Sequence, residues 1–356
     1  MISSYLPTYF LTANSADGFI NGFKSVYDLK DGWRVFLIKG GPGTGKSTFM
    51  KKVAQGLIDN GEEVHLVPCG SDPDSLDAVV SDSKRICFFD ATAPHILNPE
   101  YPGACEEIID LGVFWDSEKL YEQREKIIEL SDKNKELHKL ASKVISAVGQ
   151  LKRRKNKISL MATDIDKTFD FAIKLAKRFI KDGYKKGREK VWYLSAITNE
   201  GEIFLKDTVD KLCDRKILIE DDFGTVTGII MSVIRDYAID KNIEIITVKN
   251  NILPSEQIDH IIIPSLSIAF ISGKKFDGEE RVIHSTRFMD RDVLREHRSN
   301  VKLIDKLSNE LSLSAIELLK KAKSNHDELE KFYINAMDFE GLGKFAAKIS
   351  QKLLLY

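Results

Sequence analysis

Paired cysteines are missing from this chain. Its four, Cys69, Cys87, Cys105 and Cys213, form no CxxC and have no ligand-like spacing, which excludes a metal knuckle or redox dithiol legible from spacing alone. Cys87 sits in an apolar run and reads as a small core residue. Unpaired thiols, with no basic secretory-type start in Met1–Phe10, lead us to expect a cytoplasmic protein. Long hydrophobic runs are missing too: none approaches the roughly 20 residues that span a bilayer, so no membrane role is expected. Nor does one sign of charge dominate. Lys+Arg 53 against Asp+Glu 54 leaves a net charge of -1, and no global field draws the chain to nucleic acid, an unlikely partner on this ground. An apolar content of 43% makes it a globular chain, and 356 residues suffice for two cores.

What is present is a glycine loop in a telling context. Val35–Ile38 is an apolar run of strand length, and Phe49–Asp59 reads as a helix stopped by Asn60-Gly61. Between them stands GGPGTGKST, Gly40 to Thr48, which matches GxxxxGK[ST] between a strand and a helix. Such a loop curls so that successive N–H groups and the helix N-terminus face a phosphate. We therefore expect Gly41, Pro42, Gly43, Thr44, Gly45, Lys46, Ser47 and Thr48 to bind a nucleoside triphosphate, with ATP and Mg²⁺ as the expected pair. Lys46 would bridge the β- and γ-phosphates, and the Ser47 hydroxyl would ligate the metal.

Arg85–Asp90 is a second apolar run closing on a carboxylate. It places Asp90 at the carboxyl edge of a parallel sheet, as the residue holding Mg²⁺ through water. Glu63–Pro68 reads as another strand, followed by Ser71-Asp72-Pro73-Asp74-Ser75-Leu76-Asp77. Asp72 and Asp74 are candidates to position water or an acceptor hydroxyl, with helix capping as the alternative reading. His95 is a candidate γ-phosphate contact, with plain solvation as its alternative. A glutamate often follows the strand-end aspartate as base; here that position is Ala91, so hydrolysis would be slow unless Asp72, Asp74, Glu106 or Glu107 substitutes.

Self-similarity adds a second layer. Tyr9–Ala13 resembles Trp192–Ala196, and Gly18 falls on Gly201 at the same spacing. Arg34–Ile38 resembles Arg215–Ile219 at a spacing almost unchanged, and there Gly43-Thr44 meets Gly224-Thr225. In the second copy Gly40 and Gly41 become Asp221 and Asp222, Lys46 becomes Thr227, Ser47 becomes Gly228, and Asp90 becomes Ser272. Two carboxylates where phosphate should sit predict a pseudo-site. Asp77 recurs as Asp259 and reads as structural, whereas Asp72 falls on Pro254, which favours a functional Asp72.

These motifs, with SDPDSLD at Ser71–Asp77, DATAPH at Asp90–His95 and PGACEEIIDLG at Pro102–Gly112, resemble a poorly characterised family of tandem P-loop ATPases or ATP-binding proteins of low-GC Gram-positive bacteria. The resemblance covers essentially the whole chain and implies a fold and a ligand but no substrate. Members of that family keep a glycine-lysine loop in the second half, and this chain departs from them there.

Apolar residues at helical spacing run from Leu120 to Leu151 and from Ile158 to Phe179, flanking the basic stretch Lys152–Lys157. They predict an antiparallel hairpin turning at that stretch. A similar pattern runs from Val293 toward Leu355, and Arg287, Arg291, Arg295 and Arg298 are candidates for an arginine finger, with an exposed, acid-paired face as the alternative. The expectation is an α/β protein of two duplicated P-loop NTPase-type domains, each a three-layer αβα unit on a parallel sheet, with helical hairpin appendages. Its parts are residues 1–117 (active P-loop domain), 118–186 (helical hairpin), 187–285 (degenerate domain) and 286–356 (C-terminal helices). Its expected function is slow Mg-dependent ATP hydrolysis with the second half as scaffold or regulator, read by a protein partner or a second copy of the chain. A small-molecule kinase and a non-hydrolysing ATP sensor are the alternatives.

Overall fold

The computed structural model describes residues 6–181, 183, 188–274, 276 and 278–353; the expected boundary at 186/187 and the helical end toward Leu355 lie outside them. An antiparallel ribbon, β1 (Thr12–Ser15) and β2 (Gly18–Asn21), leads to β3 (Arg34–Lys39), the glycine loop and helix α1 (Lys46–Asp59). β4 (His65–Pro68), β5 (Leu76–Ser81), β6 (Ile86–Asp90) and β7 (Glu106–Asp110) complete a sheet of order β4-β5-β6-β3-β7. β3 runs parallel to both β6 and β7, and the register sets Ile38 beside Asp90. β5 corrects the expected parallel sheet, because it runs antiparallel to β4 and β6. Only Asp82–Arg85 separates β5 from β6, too short for a parallel crossover, and Arg85 at φ 55 closes the turn.

After α2 (Ser117–Glu122), α3 (Arg124–Ala162) runs unbroken through the basic stretch, so the expected hairpin turn is not there. The turn comes at Thr163-Asp164, where Asp164 caps α4 (Ile165–Phe179) by accepting from the Lys167 amide at 3.0 Å. Lys152–Lys157 holds neither glycine nor proline to break the helix, and acids from elsewhere meet its charges. Arg153 pairs with Asp17 and Glu256, and Lys155 pairs with Asp305.

The second half runs β8 (Glu189–Trp192), β9 (Ser195–Thr198), β10 (Gly201–Phe204), α5 (Lys206–Leu212), β11 (Arg215–Glu220), α6 (Thr225–Asp240), β12 (Ile245–Lys249), β13 (Ile258–Ile263), β14 (Ile268–Ser272) and β15 (Glu279–His284). Its sheet has the order β8-β12-β13-β14-β11-β15, with the strand directions of the first sheet and β8 added at the edge. Then α7 (Arg291–Glu296), α8 (Arg298–Ala336) and α9 (Phe339–Leu353) repeat α2, α3 and α4 in length, each at one constant spacing along the chain.

The helices are exchanged between halves rather than appended to each. α3 and α8 lie antiparallel: Lys155 Nζ meets Asp305 at 2.6 Å, and Asn325 Nδ2 donates to the Leu130 carbonyl at 2.8 Å. α3 thus carries the chain to the second half, where α4 sets Ala172 and Leu175 against Ile230 and Ile234 of α6. α8 carries it back, and α9 packs Leu342, Ala346 and Ile349 against Phe49 and Val53 of α1. At about 1.5–3 kcal/mol per fully buried large apolar side chain, these few residues hold α9 in place. Paired turns lock the exchange: the Asp116 amide donates to Ala336 and the Asp290 amide to Ala162, both across halves.

The three-layer expectation is corrected as well. Each sheet has its long helices on one face, while its other face joins a core shared by both halves, in which Leu37 and Phe89 meet Leu218 and Ile271 and α5 adds Val209. Tyr9 stacks on Trp192 there with ring centres 3.9 Å apart, and Phe10 exchanges backbone hydrogen bonds with Tyr193.

Candidate nucleotide-binding site

The sheet delivers the loop and Asp90 to one edge because β3 and β6 are parallel neighbours in register. Gly45, at φ 82, ends the loop and opens α1, whose first-turn amides have no partner within the helix. Lys46 Nζ folds back onto the carbonyls of Gly41 at 2.9 Å and Gly40 at 3.3 Å, and stands 3.8 Å from Asp90. The other Asp90 oxygen accepts from the Thr92 amide and hydroxyl. Ser47 Oγ accepts from the Leu76 amide at 3.2 Å, which ties the loop to the start of β5. Thr44 is fully buried and donates to the Gly41 carbonyl, while Thr48 is exposed. Lys46, Ser47 and Asp90, named from sequence, thus come together.

What the sequence did not reveal is the cover over this loop. α8, from the other half, sets Glu330 against it, with Oε1 accepting from the Gly43 amide at 3.2 Å. Gly43 lies at φ 65, and a Cβ there would come within 2.8 Å of the Glu330 carbonyl; one on Gly41 would meet the Tyr333 ring at 2.6 Å. Glycine is required at both points by close approach. His326, 3.4 Å from Glu330, lowers the pKa of its carboxyl, and the Gly43 amide adds to the effect. Lys323 sits further back along α8 and pairs with Asp72 at 3.3 Å and Asp327 at 2.7 Å. Burial works against its charge, but the two carboxylates more than offset that and raise its pKa.

Asp72 accepts from Ser75 Oγ as well, and its Oδ1 is buried with no hydrogen-bond partner among the described residues. It caps no helix, since β5 follows; Asp74 is exposed. Other candidates are placed elsewhere. Glu106 is buried and accepts from the amides of Glu100 and Tyr101, and Glu107 pairs with Lys352. His95, expected near the γ-phosphate or in solvent, is buried beside Asp77 with Nε2 and Oδ1 3.3 Å apart. The arginine series lies around α7 and the start of α8. Arg298 opens the helix that carries Glu330 near its other end, a separation of roughly 48 Å at about 1.5 Å per residue, so within this chain none reaches the loop.

The corresponding loop of the second half is filled by its own side chain. Asp221 accepts from the Phe223 amide at 3.0 Å and the Thr227 amide at 2.9 Å. Asn156 of α3 precedes Glu330 by the spacing at which the helices recur and is the glutamate's counterpart; its carbonyl accepts from Thr225 Oγ1. No signal within the glycine loop could have pointed to Glu330; the constant spacing of the recurring helices could have.

A family model described as novel STAND NTPase 3 (nSTAND3) matches residues 20–93. That segment is similar to an NTPase. It contains the loop, Asp72 and Asp90 and ends before His95 and the second half. No curated protein and no solved structure matches the chain. Among the described residues no helix is long and apolar enough to cross a membrane.

Proposed function

We propose that this chain binds ATP with Mg²⁺ at the Gly41–Thr48 loop and hydrolyses it slowly, and that nucleotide and the Glu330 carboxylate compete for the same backbone amides. One observation carries the reading: the Gly43 N–H already holds an anionic side chain that arrives from the other half on α8. A triphosphate offers the same loop more negative charge and displaces Glu330, so occupancy is felt along α8. Lys46 then leaves the Gly40 and Gly41 carbonyls for the β- and γ-phosphates, and Ser47 and Asp90 hold the metal, Asp90 through water. Slow turnover is supported by Ala91 at the usual base position and by the engagement of Glu106 and Glu107 in other bonds. Asp72 is the remaining carboxylate for a water, once Lys323 moves with the helix.

We infer that the halves arose by duplication, because strand order, strand direction and helix lengths recur at near-constant spacing. The second half is then a pseudo-site in which Asp221 permanently takes the phosphate's place, and it serves as scaffold or regulator. A non-hydrolysing sensor is the second reading, favoured by the same Ala91. The test is Mg·ATP affinity by calorimetry and phosphate release for wild type, Lys46→Ala and Glu330→Gln. Binding lost in Lys46→Ala, tightened in Glu330→Gln and accompanied by slow phosphate release supports the ATPase. Binding without release turns the reading to the sensor, and no binding by wild type or Glu330→Gln overturns it.

A further inference from the structure

Beneath the loop lies a cluster that the nucleotide chemistry does not use. Cys69 follows β4, Asp77 stands in β5 and His95 follows β6, and one ligand atom from each lies within 4.8 Å of the other two. All three belong to the sheet edge that carries the glycine loop; the residue before Asp77, Leu76, donates to Ser47. Asp77 and His95 are buried and Cys69 is partly so.

The geometry points to a transition-metal site in which Cys69 Sγ, Asp77 Oδ1 and the His95 imidazole hold one Zn²⁺. Three arguments carry it. First, ligands about 2.0–2.1 Å from a tetrahedral zinc stand about 3.3 Å apart, which is the spacing of His95 Nε2 and Asp77 Oδ1. Second, Thr12 Oγ1 donates to Asp77 Oδ2 at 2.6 Å, an outer hydrogen bond that orients the carboxylate and leaves Oδ1 for the ion. The His95 Nδ1 is buried without a partner among the described residues, and Nε2, which faces Asp77, is the nitrogen offered to the ion.

Third, the second half supplies a control within the same molecule. Asp259, the counterpart of Asp77, is met by Asn250, which follows β12 as Cys69 follows β4 and donates to both carboxylate oxygens at 3.1 Å. An amide therefore suffices to keep this carboxylate in place. The half with the intact glycine loop has a thiol and an imidazole there instead, and one thiolate, one imidazole and one carboxylate suit zinc rather than Mg²⁺. Thiolate and carboxylate together neutralise the dication, and water completes the fourth position.

The inference does not depend on ATP binding, and Lys46→Ala separates the two. The experiment is zinc content by mass spectrometry of full-length protein grown with zinc and purified without chelator, followed by X-ray absorption at the zinc edge. Wild type and Lys46→Ala are expected to hold one zinc per chain, with one sulfur at about 2.3 Å and the remaining ligands at about 2.0–2.1 Å. Cys69→Ser and His95→Ala should fall below a tenth of that, while Cys105→Ser keeps it. Wild-type protein free of zinc, a shell without sulfur, or zinc retained by Cys69→Ser overturns the site. Should the variants fail to fold, the sulfur shell of the wild type and of Cys105→Ser decides.

Discussion

At the scale of single residues, Glu330 and Asp221 do one job in two ways. Each carboxylate satisfies backbone amides of a glycine-containing turn, but Asp221 belongs to its loop and cannot leave, whereas Glu330 reaches over from another element. A hydrogen bond to a charged group contributes about 1.5–3 kcal/mol net. Glu330→Gln should therefore tighten ATP binding by between about tenfold and about a hundredfold, at about 1.4 kcal/mol per decade, and calorimetry reads this directly. Lys46→Ala should weaken it at least as much. A pH effect belongs to this scale as well. Burial pushes the Asp259 carboxyl up to about 6 and the neighbouring His260 down to about 4. A depressed histidine is neutral in the fold and protonated when unfolded, so His260 costs stability as pH falls from 6.5 toward 4. A raised carboxyl does the reverse, gaining stability as pH falls through 6, so the two oppose each other. Asp259→Asn removes the gain. Its unfolding free energy, from urea titrations, should then drop more steeply than wild type between about pH 6.5 and 4, by up to about 3 kcal/mol at about 1.36 kcal/mol per pH unit of displacement.

Among elements, α3 and α8 decide most. Gly149 lies mid-helix in α3, where alanine would ordinarily stabilise by about 1 kcal/mol. Here a Cβ would stand 2.2 Å from that of Ala16 in the turn of the first ribbon, so steric cost should win. Gly149→Ala is expected to destabilise by about 1–3 kcal/mol, seen as a lower urea midpoint by circular dichroism. The strand-loop-helix unit at Gly40–Thr48 was legible because its signals are local: an apolar run, glycines at fixed spacing and a helix stop. The reversal of β5 was signalled only by a short turn. The basic stretch misled, since a run of charge reads as an exposed end until the acids that neutralise it, Asp17, Glu256 and Asp305, are found far away in the chain.

For the whole molecule, the exchange of α4 and α9 means that neither half holds its own cover. A fragment ending at residue 181 lacks α9 over α1 and leaves α4 with no α6 to pack on. It should show no cooperative unfolding transition alone, while co-expressed 1–181 and 182–356 should co-elute in size-exclusion chromatography at the intact chain's volume. Separate folding of either piece would contradict the exchange. The same arrangement makes the site one of both halves, with loop and Asp90 from one and Glu330, Tyr333 and Lys323 from the other.

The sequence alone determined that a glycine loop stands between a strand and a helix, that Asp90 ends an apolar strand, and that the second loop carries acids in place of glycines. Those are properties of neighbouring residues and of spacing, and local backbone chemistry reads them out. Tertiary structure alone decided that α8 covers the loop, that Glu330 rather than an arginine meets it, and that Cys69, Asp77 and His95 converge. Such pairings depend on where one long helix and three separate strand ends are delivered by burial of apolar faces, and no short-range signal encodes that.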